Sequence, residues 1–236
     1  MHAQRYILPT TTFWQRIVAR ETLSVSIEPP YRYGYPVCLP DGRWLVLPIR
    51  QRAGDPDRAL ASLIPNQASF DVVRTLAGFM TALARPLGAE VVVGPPTLGM
   101  AFSPLVAEGL GLDRYVPLGY SRKFWYRDDL AQDVRSLTAP GEGKKIYLDP
   151  SQVELIAGRR VVIVDDTVSN GTTLASVLAL LGRAGAHVVG VVVAMRQGSG
   201  WRTVAAGLPD TPVLGVFDSP HLVWCGDGWV VDEQVG

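Results

Sequence analysis

Lysine is scarce in this chain of 236 residues: among 22 basic residues only Lys123, Lys144 and Lys145 are lysines, and all three fall in one short region. Either an arginine-preferring sequence leaves them there by chance, or flexible ammonium groups are wanted beside a phosphate. Cysteine is nearly absent, and Cys38 and Cys225 lack metal-ligand spacing, so two reduced thiols are expected. An excess of either charge is missing as well, with 22 basic against 22 acidic residues. That balance argues against a basic nucleic-acid surface and against an acidic tail. No apolar run approaches a membrane span, and MHAQRYILPTTTFWQR at the start has no long apolar segment, so a cytoplasmic protein without membrane or nucleic-acid partners is expected. What is there, 47% hydrophobic and 19% charged residues, is the composition of a globular chain with a full core.

Three stretches organise the chain. Residues 1–55 are punctuated by Pro29, Pro30, Gly34, Pro36, Pro40 and Pro48, and PVCLPDGRWLVLPIR reads as a β-hairpin turned at Asp41-Gly42. This predicts a small β-rich appendage, read as a hood over the ligand site. From about 56 to 218, helical patterns alternate with short apolar runs, as parallel strands buried on both faces require. Phe70, Val73, Ala77, Met80 and Ala84 mark the face of the first helix; EVVVG, YVPL, KKIYLD, RRVVIVDD, HVVGVVVAM and PVLGVF read as strands. Asp149, Pro150 and Gln152 supply an N-cap, a first-turn proline and a capping-box partner. Residues 119–143 keep no period and are long for a connection, which predicts a lid. HLVWCGDGWVVDE, within 219–236, reads as a closing hairpin. The fold class that follows is α/β, a doubly wound, mainly parallel sheet with an N-terminal β-rich appendage.

The chemistry is concentrated at VVIVDDTVSNGTTL, residues 161–174. Ligands of an open parallel sheet sit beyond the carboxyl ends of its strands. There this chain places Asp165 and Asp166, then Thr167, Val168, Ser169, Asn170, Gly171, Thr172 and Thr173. Hydroxyls, a glycine and the free N–H groups of the next helix make an anion cradle. The loop lacks the lysine of a nucleoside-triphosphate loop, and the two acids exclude a dinucleotide pyrophosphate loop. Carboxylates repel phosphate, so Asp165 and Asp166 must meet the rest of the ligand through vicinal hydroxyls or a hydrated Mg²⁺. A furanose 5-phosphate satisfies both halves. Alternation along the strand makes the two acids inequivalent.

The string resembles the phosphoribosylpyrophosphate motif of type I phosphoribosyltransferases. AEVVVGPPTLGMAFSPLVAEGLGL, YSRKFW and KKIYLDPSQVELIAGRRVVIVDD are similar to the layout of adenine phosphoribosyltransferases, over roughly residues 60–218. The resemblance implies transfer of phosphoribosyl from 5-phosphoribosyl-1-pyrophosphate to a nitrogen base, most readily a purine, with Mg²⁺ and release of pyrophosphate, in a homodimer. It implies that Asp165 and Asp166 act in catalysis and hold the ribose and, through water, the metal, and that 167–173 bind the ribose phosphate. It places Thr97, Leu98, Gly99, Arg122, Lys123 and Lys145 on the pyrophosphate. Thr167 and Val168 resemble the floor of the base pocket, with Phe217 or the lid aromatics Phe124, Trp125 and Tyr126 available to stack on a ring.

The chain departs from the adenine-specific pattern at Leu98, where relatives usually carry arginine, and at Glu142, which is one residue out of step with their acidic lid residue. Glu142 is therefore a candidate general acid or base with a solvated loop glutamate as its alternative. Two other functions compete with the transferase. The same fold serves in phosphoribosylpyrophosphate-sensing regulators, but these bring a basic face or an added DNA-binding domain. A phosphoacceptor receiver domain also ends strands in acids, but has no use for the loop that follows.

Overall fold

The computed structural model describes residues 10–134 and 144–233. The chain first builds β1 (Gly34–Cys38) and β2 (Trp44–Arg52), antiparallel with Cys38 opposite Trp44. Gly42, with φ 84°, takes the left-handed turn position between them. A third strand, β3 (Asp55–Ala61), pairs with β2 and runs across the expected boundary at 55.

Helix α1 (Phe70–Ala84) starts where Ser69 accepts a hydrogen bond from Val72 N–H. Its buried face is Val72, Val73, Leu76, Ala77, Met80 and Ala84. Phe70, expected on that face, is 80% exposed: as the first helical residue it lies before the stripe that meets the sheet. Next come β4 (Val91–Gly94), α2 (Ser103–Gly109), β5 (Val116–Pro117), β6 (Ala131–Val134), β7 (Lys144–Tyr147) and α3 (Val153–Ile156). The clearest expected strand is β8 (Arg160–Val168), followed by α4 (Thr172–Arg183), β9 (His187–Gln197), α5 (Arg202–Ala206) and β10 (Val213–Ser219). The closing hairpin is β11 (His221–Trp224) and β12 (Trp229–Val231).

Five strands form an all-parallel sheet in the order β10-β9-β8-β4-β5. Numbered by appearance this is 2-1-3-4-5, the doubly wound topology, and the winding reverses between β4 and β8. Both faces are covered, which is why the strands are apolar throughout. Val162, Val164, Val192 and Ala194 pack under α1 and α2, whereas Val161, Ile163, Val191 and Val193 pack under α3 and α4.

The other large sheet, β1-β2-β3-β11-β12, is antiparallel and draws strands from both ends of the chain. Its Val37, Leu45 and Leu47 share one core with α1 and with Phe217 of β10. It leaves from the carboxyl ends of β9 and β10, where Gln197 Nε2 donates to the Ala61 carbonyl at 2.7 Å in a buried bond.

Of the expected lid, residues 119–134 are more regular than their sequence suggests, and 135–143 lie outside the described residues. Gly119 and Tyr147 exchange backbone hydrogen bonds of 3.0 and 2.8 Å, β6 pairs antiparallel with β7, and Leu130 is buried. Arg183 at the end of α4 donates to the Asp129 and Ala131 carbonyls and to Gln132 Oε1. The lone pairing signal in AQDV is too short and polar to read locally. The Asp149 cap forms, accepting from Ser151 N–H, but Gln152 Oε1 finds no partner, so the capping box is only half made.

Candidate functional site

The strand β8 continues two residues further than the motif suggested, so Asp165, Thr167 and Val168 are still paired with β9. Asp165 therefore shares the Ile163 face and Asp166 the Val164 face, as alternation requires. Both are half-buried, and Asp166 N–H donates to Asp165 Oδ1 at 2.9 Å. No lysine or arginine pairs with either acid among the described residues. Burial drives the Asp165 carboxyl well above the usual carboxylate range, and the neighbouring Asp166 charge adds to it. Burial raises Asp166 too, against opposing hydrogen bonds from its neighbours. Two desolvated carboxylates without a cation make a site that gains from ribose hydroxyl donors or a hydrated cation. Among the described residues no three His, Cys, Asp or Glu cluster into a metal cage. The pair thus fits Mg²⁺ that arrives with phosphate oxygens and water rather than one held by protein alone.

The loop expected to form the anion cradle follows at once. Asn170 Oδ1 accepts from Thr172 N–H at 3.0 Å, and Gly171 caps α4 with φ 78°. A side chain at Gly171 would be strained by that φ and would also strike Val204 Cγ2, 2.6 Å from an ideal Cβ. Gly200 backs the loop, with an ideal Cβ only 3.3 Å from Asn170 Cα and the Ser169 carbonyl. The loop is therefore held from behind, and the start of α4 borders a cavity of about 140 Å³ with Asp165, Thr167, Ser169, Asn170 and Thr173 on its polar side and Ile163, Val177, Val191 and Val193 on its apolar side. The positive end of a twelve-residue helix stands behind it.

Across the switch point, β4 ends in the loop Pro95–Leu98 and a turn at Gly99–Ala101. The peptide between Pro96 and Thr97 is cis. Gly99 lies directly on Asp165: an ideal Cβ would come within 2.6 Å of Oδ1. Ser103 Oγ lies 2.8 Å from the Gly99 carbonyl and 3.1 Å from the Val164 carbonyl, a shared donation that ties this loop to β8. Thr97 is exposed and Leu98 half-buried. The geometry thus sets Gly99 against Asp165, with Thr97 and Leu98 just before it in the same loop.

The remaining candidates lie further out. Arg122 is exposed and paired with Asp128 at 2.8 Å, Lys123 is exposed, and Lys145 lies 3.8 Å from Asp133. Phe124 is fully exposed, Trp125 Nε1 donates to Asp149 at 3.1 Å, and Tyr126 leans on Tyr147. Phe217 is a core side chain beside Met195, not an open platform. Glu142 lies outside the described residues. Sequence reasoning missed Tyr120, Ser103 and Gly200. Burial, followed by the charges of Asp165 and Asp166, pushes the Tyr120 phenol up, which places it in the field of the acid pair. Its position just after a predicted strand was the available signal; for Ser103 and Gly200 the sequence offers none.

A doubly wound sheet whose switch point carries an acid pair, a glycine-capped anion cradle and a facing glycine loop is the fold and site layout of type I phosphoribosyltransferases. Residues 60–210 match the family model of the phosphoribosyl transferase domain, so the chain belongs to that family. The chain is 32% identical over 136 residues to the adenine phosphoribosyltransferase of Parafrankia sp., covering 58% of this chain and 68% of that one. It is 26% identical over 122 residues to the amidophosphoribosyltransferase of Staphylococcus aureus, covering 52% of this chain but only 24% of that much longer relative. Among solved structures, adenine phosphoribosyltransferase from Thermoanaerobacter pseudethanolicus superposes with a TM-score of 0.59 at 14% identity, over 73% of this chain and 95% of that one, a likeness of fold. No helix among the described residues is long and apolar enough to cross a membrane.

Proposed function

We propose that this chain is a Mg²⁺-dependent phosphoribosyltransferase that moves the phosphoribosyl group of 5-phosphoribosyl-1-pyrophosphate to the nitrogen of a purine base and releases pyrophosphate. The observation that carries the reading is the uncompensated acid pair set between an anion cradle and a second glycine loop. In this reading the 5-phosphate, the ribose and the pyrophosphate follow in that order along the crevice. The adenine-type relative favours a purine over other acceptors. A homodimer working in the cytoplasm is part of the proposal.

Each group has a physical task. The α4 amino end and residues 169–173 bind the 5-phosphate by hydrogen bonds and helix dipole. Asp165 and Asp166 accept hydrogen bonds from the ribose hydroxyls and fix the ring. Carbon–oxygen cleavage at the anomeric centre develops oxocarbenium character, which the acid pair at the end of β8 stabilises electrostatically. Bound Mg²⁺ would neutralise charge on the leaving pyrophosphate, with the acids reaching it through water. Residues 97–99 hold that pyrophosphate through backbone N–H groups and the Thr97 hydroxyl, and 119–134 with β7 screen the reacting centre from water. Glu142 remains a candidate acid or base for the acceptor.

The test is a panel: purified protein, donor and Mg²⁺ with adenine, hypoxanthine, guanine, xanthine, uracil or orotate, followed by pyrophosphate release. Turnover with a purine supports the proposal. Tight donor binding without turnover on any base points to a regulator instead, and absence of donor binding rejects both.

A further inference from the structure

Lys144 and Lys145 are adjacent on β7, so their side chains leave opposite faces of the strand. Lys145 reaches across the hairpin, its Nζ 3.8 Å from Asp133 on β6. Lys144 turns the other way, and its Nζ stands 5.4 Å from the centroid of the Tyr120 ring, a cation–π contact. No carboxylate pairs with Lys144 among the described residues, and its side chain is exposed. Tyr120 is a fixed platform, because its neighbour Gly119 is bonded to Tyr147 in both directions and its own ring packs on the α3 and α4 core. The phenol also feels Asp165 and Asp166. Lys144, Tyr120 and the acid pair are thus one neighbourhood.

The sheet order says which end of the ligand this neighbourhood serves. Tyr120 follows β5, which lies beside β4, and β4 leads into residues 95–99. The phosphate cradle lies on the α4 side of the acids, where α4 covers β8 and β9 and also meets β6 at Asp133 through the Ser176 hydroxyl. Residues 95–99 contain no basic side chain, so a pyrophosphate held there lacks a local counter-charge. An ammonium on a four-carbon stem supplies a mobile point charge of the kind that suits phosphate oxygens.

We propose that Lys144, seated on Tyr120, is a binding residue for the pyrophosphate end of the donor. The inference rests on the phosphoribosyltransferase reading and deepens it. It is tested by calorimetry with Mg²⁺ and either inorganic pyrophosphate or ribose 5-phosphate, on the full chain and on Lys144→Gln, Lys144→Arg and Arg114→Gln. Arg114 is an exposed cation at the opposite, amino end of the sheet and controls for net charge. Lys144→Gln should weaken pyrophosphate about tenfold, or ~1.4 kcal/mol, while ribose 5-phosphate stays within about twofold. Lys144→Arg should keep most of the pyrophosphate affinity, and Arg114→Gln all of it. Unchanged pyrophosphate binding in Lys144→Gln, or equal loss of both ligands, overturns the assignment. An unsubstituted chain that binds neither ligand overturns the parent reading and this one with it, whereas normal binding with an indifferent Lys144 overturns this one alone.

Discussion

Substituting Gly99 with alanine is the sharpest available probe of the crevice, because it adds one methyl group where two loops and β8 converge. An ideal Cβ there lies 2.6 Å from Asp165 Oδ1, 3.0 Å from the Val164 carbonyl and 3.1 Å from Asp165 Cα. Ordinary contact begins near 3.4 Å. The carboxylate must therefore retreat by about 0.8 Å or the loop must lift off β8, and a misplacement of roughly 1 Å at a reacting centre costs on the order of 10²-fold in rate. The Val164 carbonyl has little room to yield, since it belongs to the central strand and also accepts from Ser103. Overpacking of this kind costs about 1–3 kcal/mol, which lowers Tm by about 2–4 °C per kcal/mol for a chain of this size. Gly78→Ala is the matched control: Gly78 is exposed within α1, an added Cβ meets nothing within 4 Å, and the change should stabilise by about 0.5–1 kcal/mol. Donor affinity, kcat/KM and thermal unfolding of both variants are the measurements. Gly99→Ala that binds donor within about twofold of the unsubstituted chain and melts no lower would refute the packing of this loop on the acid.

Asp165→Asn should abolish donor binding yet leave the protein at least as stable at pH 8, with a gain of up to about 1 kcal/mol, because a desolvated carboxylate is removed; isothermal titration and thermal unfolding read the two effects, and retained affinity would reject the ribose assignment. Gly171→Ala should lose donor and ribose 5-phosphate affinity together, by about tenfold or more, since both the left-handed φ of 78° and Val204 oppose it. Arg183→Ala removes three hydrogen bonds to the 129–132 segment and should lower Tm by about 2–4 °C, with faster amide exchange confined to β6 and β7; exchange that quickens uniformly would mean that Arg183 does not anchor this hairpin. Burial, with Arg52 nearby, holds His221 below the ordinary imidazole range. The unfolded chain then takes up its proton first, so stability is lost as pH falls below about 6.5, and His221→Gln should flatten that decline in a series of melts.

Legibility in the sequence followed the range of the interactions. The strands of the parallel sheet and the cradle were readable because their causes are local: four apolar residues, two acids, a glycine at a left-handed cap. The limits of α1 were readable from Ser69 and from spacing, yet Phe70 was not, because whether the first helical residue meets the core depends on where the sheet lies. Residues 119–143 keep no period in the sequence and read as a lid, yet the described part, 119–134, is ordered into β6 and its flanking turns. Its order comes from partners far along the chain, Tyr147 and Arg183, and from a four-residue strand with no alternation of its own. Gly99 was named from resemblance; that it touches Asp165 could come only from the packing of β4 against β8.

The same distinction separates the two substrates of the proposed reaction. A phosphate is met by backbone N–H groups and a helix end, which one continuous stretch of chain can supply, so the donor half is written in 161–174. The face beyond the carboxyl ends of β9 and β10 is instead walled by an antiparallel sheet in which β3 pairs with β11, over 150 residues later in the sequence. The buried bond from Gln197 to Ala61 fixes that sheet to the core. Most of it, β1, β2, β11 and β12, lies outside the residues that match the family model. The family match therefore covers the donor side of the crevice and only β3 of this sheet. Acceptor choice should follow the sheet: exchanging residues at the β3–β11 seam should change which base is used while leaving donor affinity within about twofold, because no residue of the cradle or of the 95–99 loop comes from it.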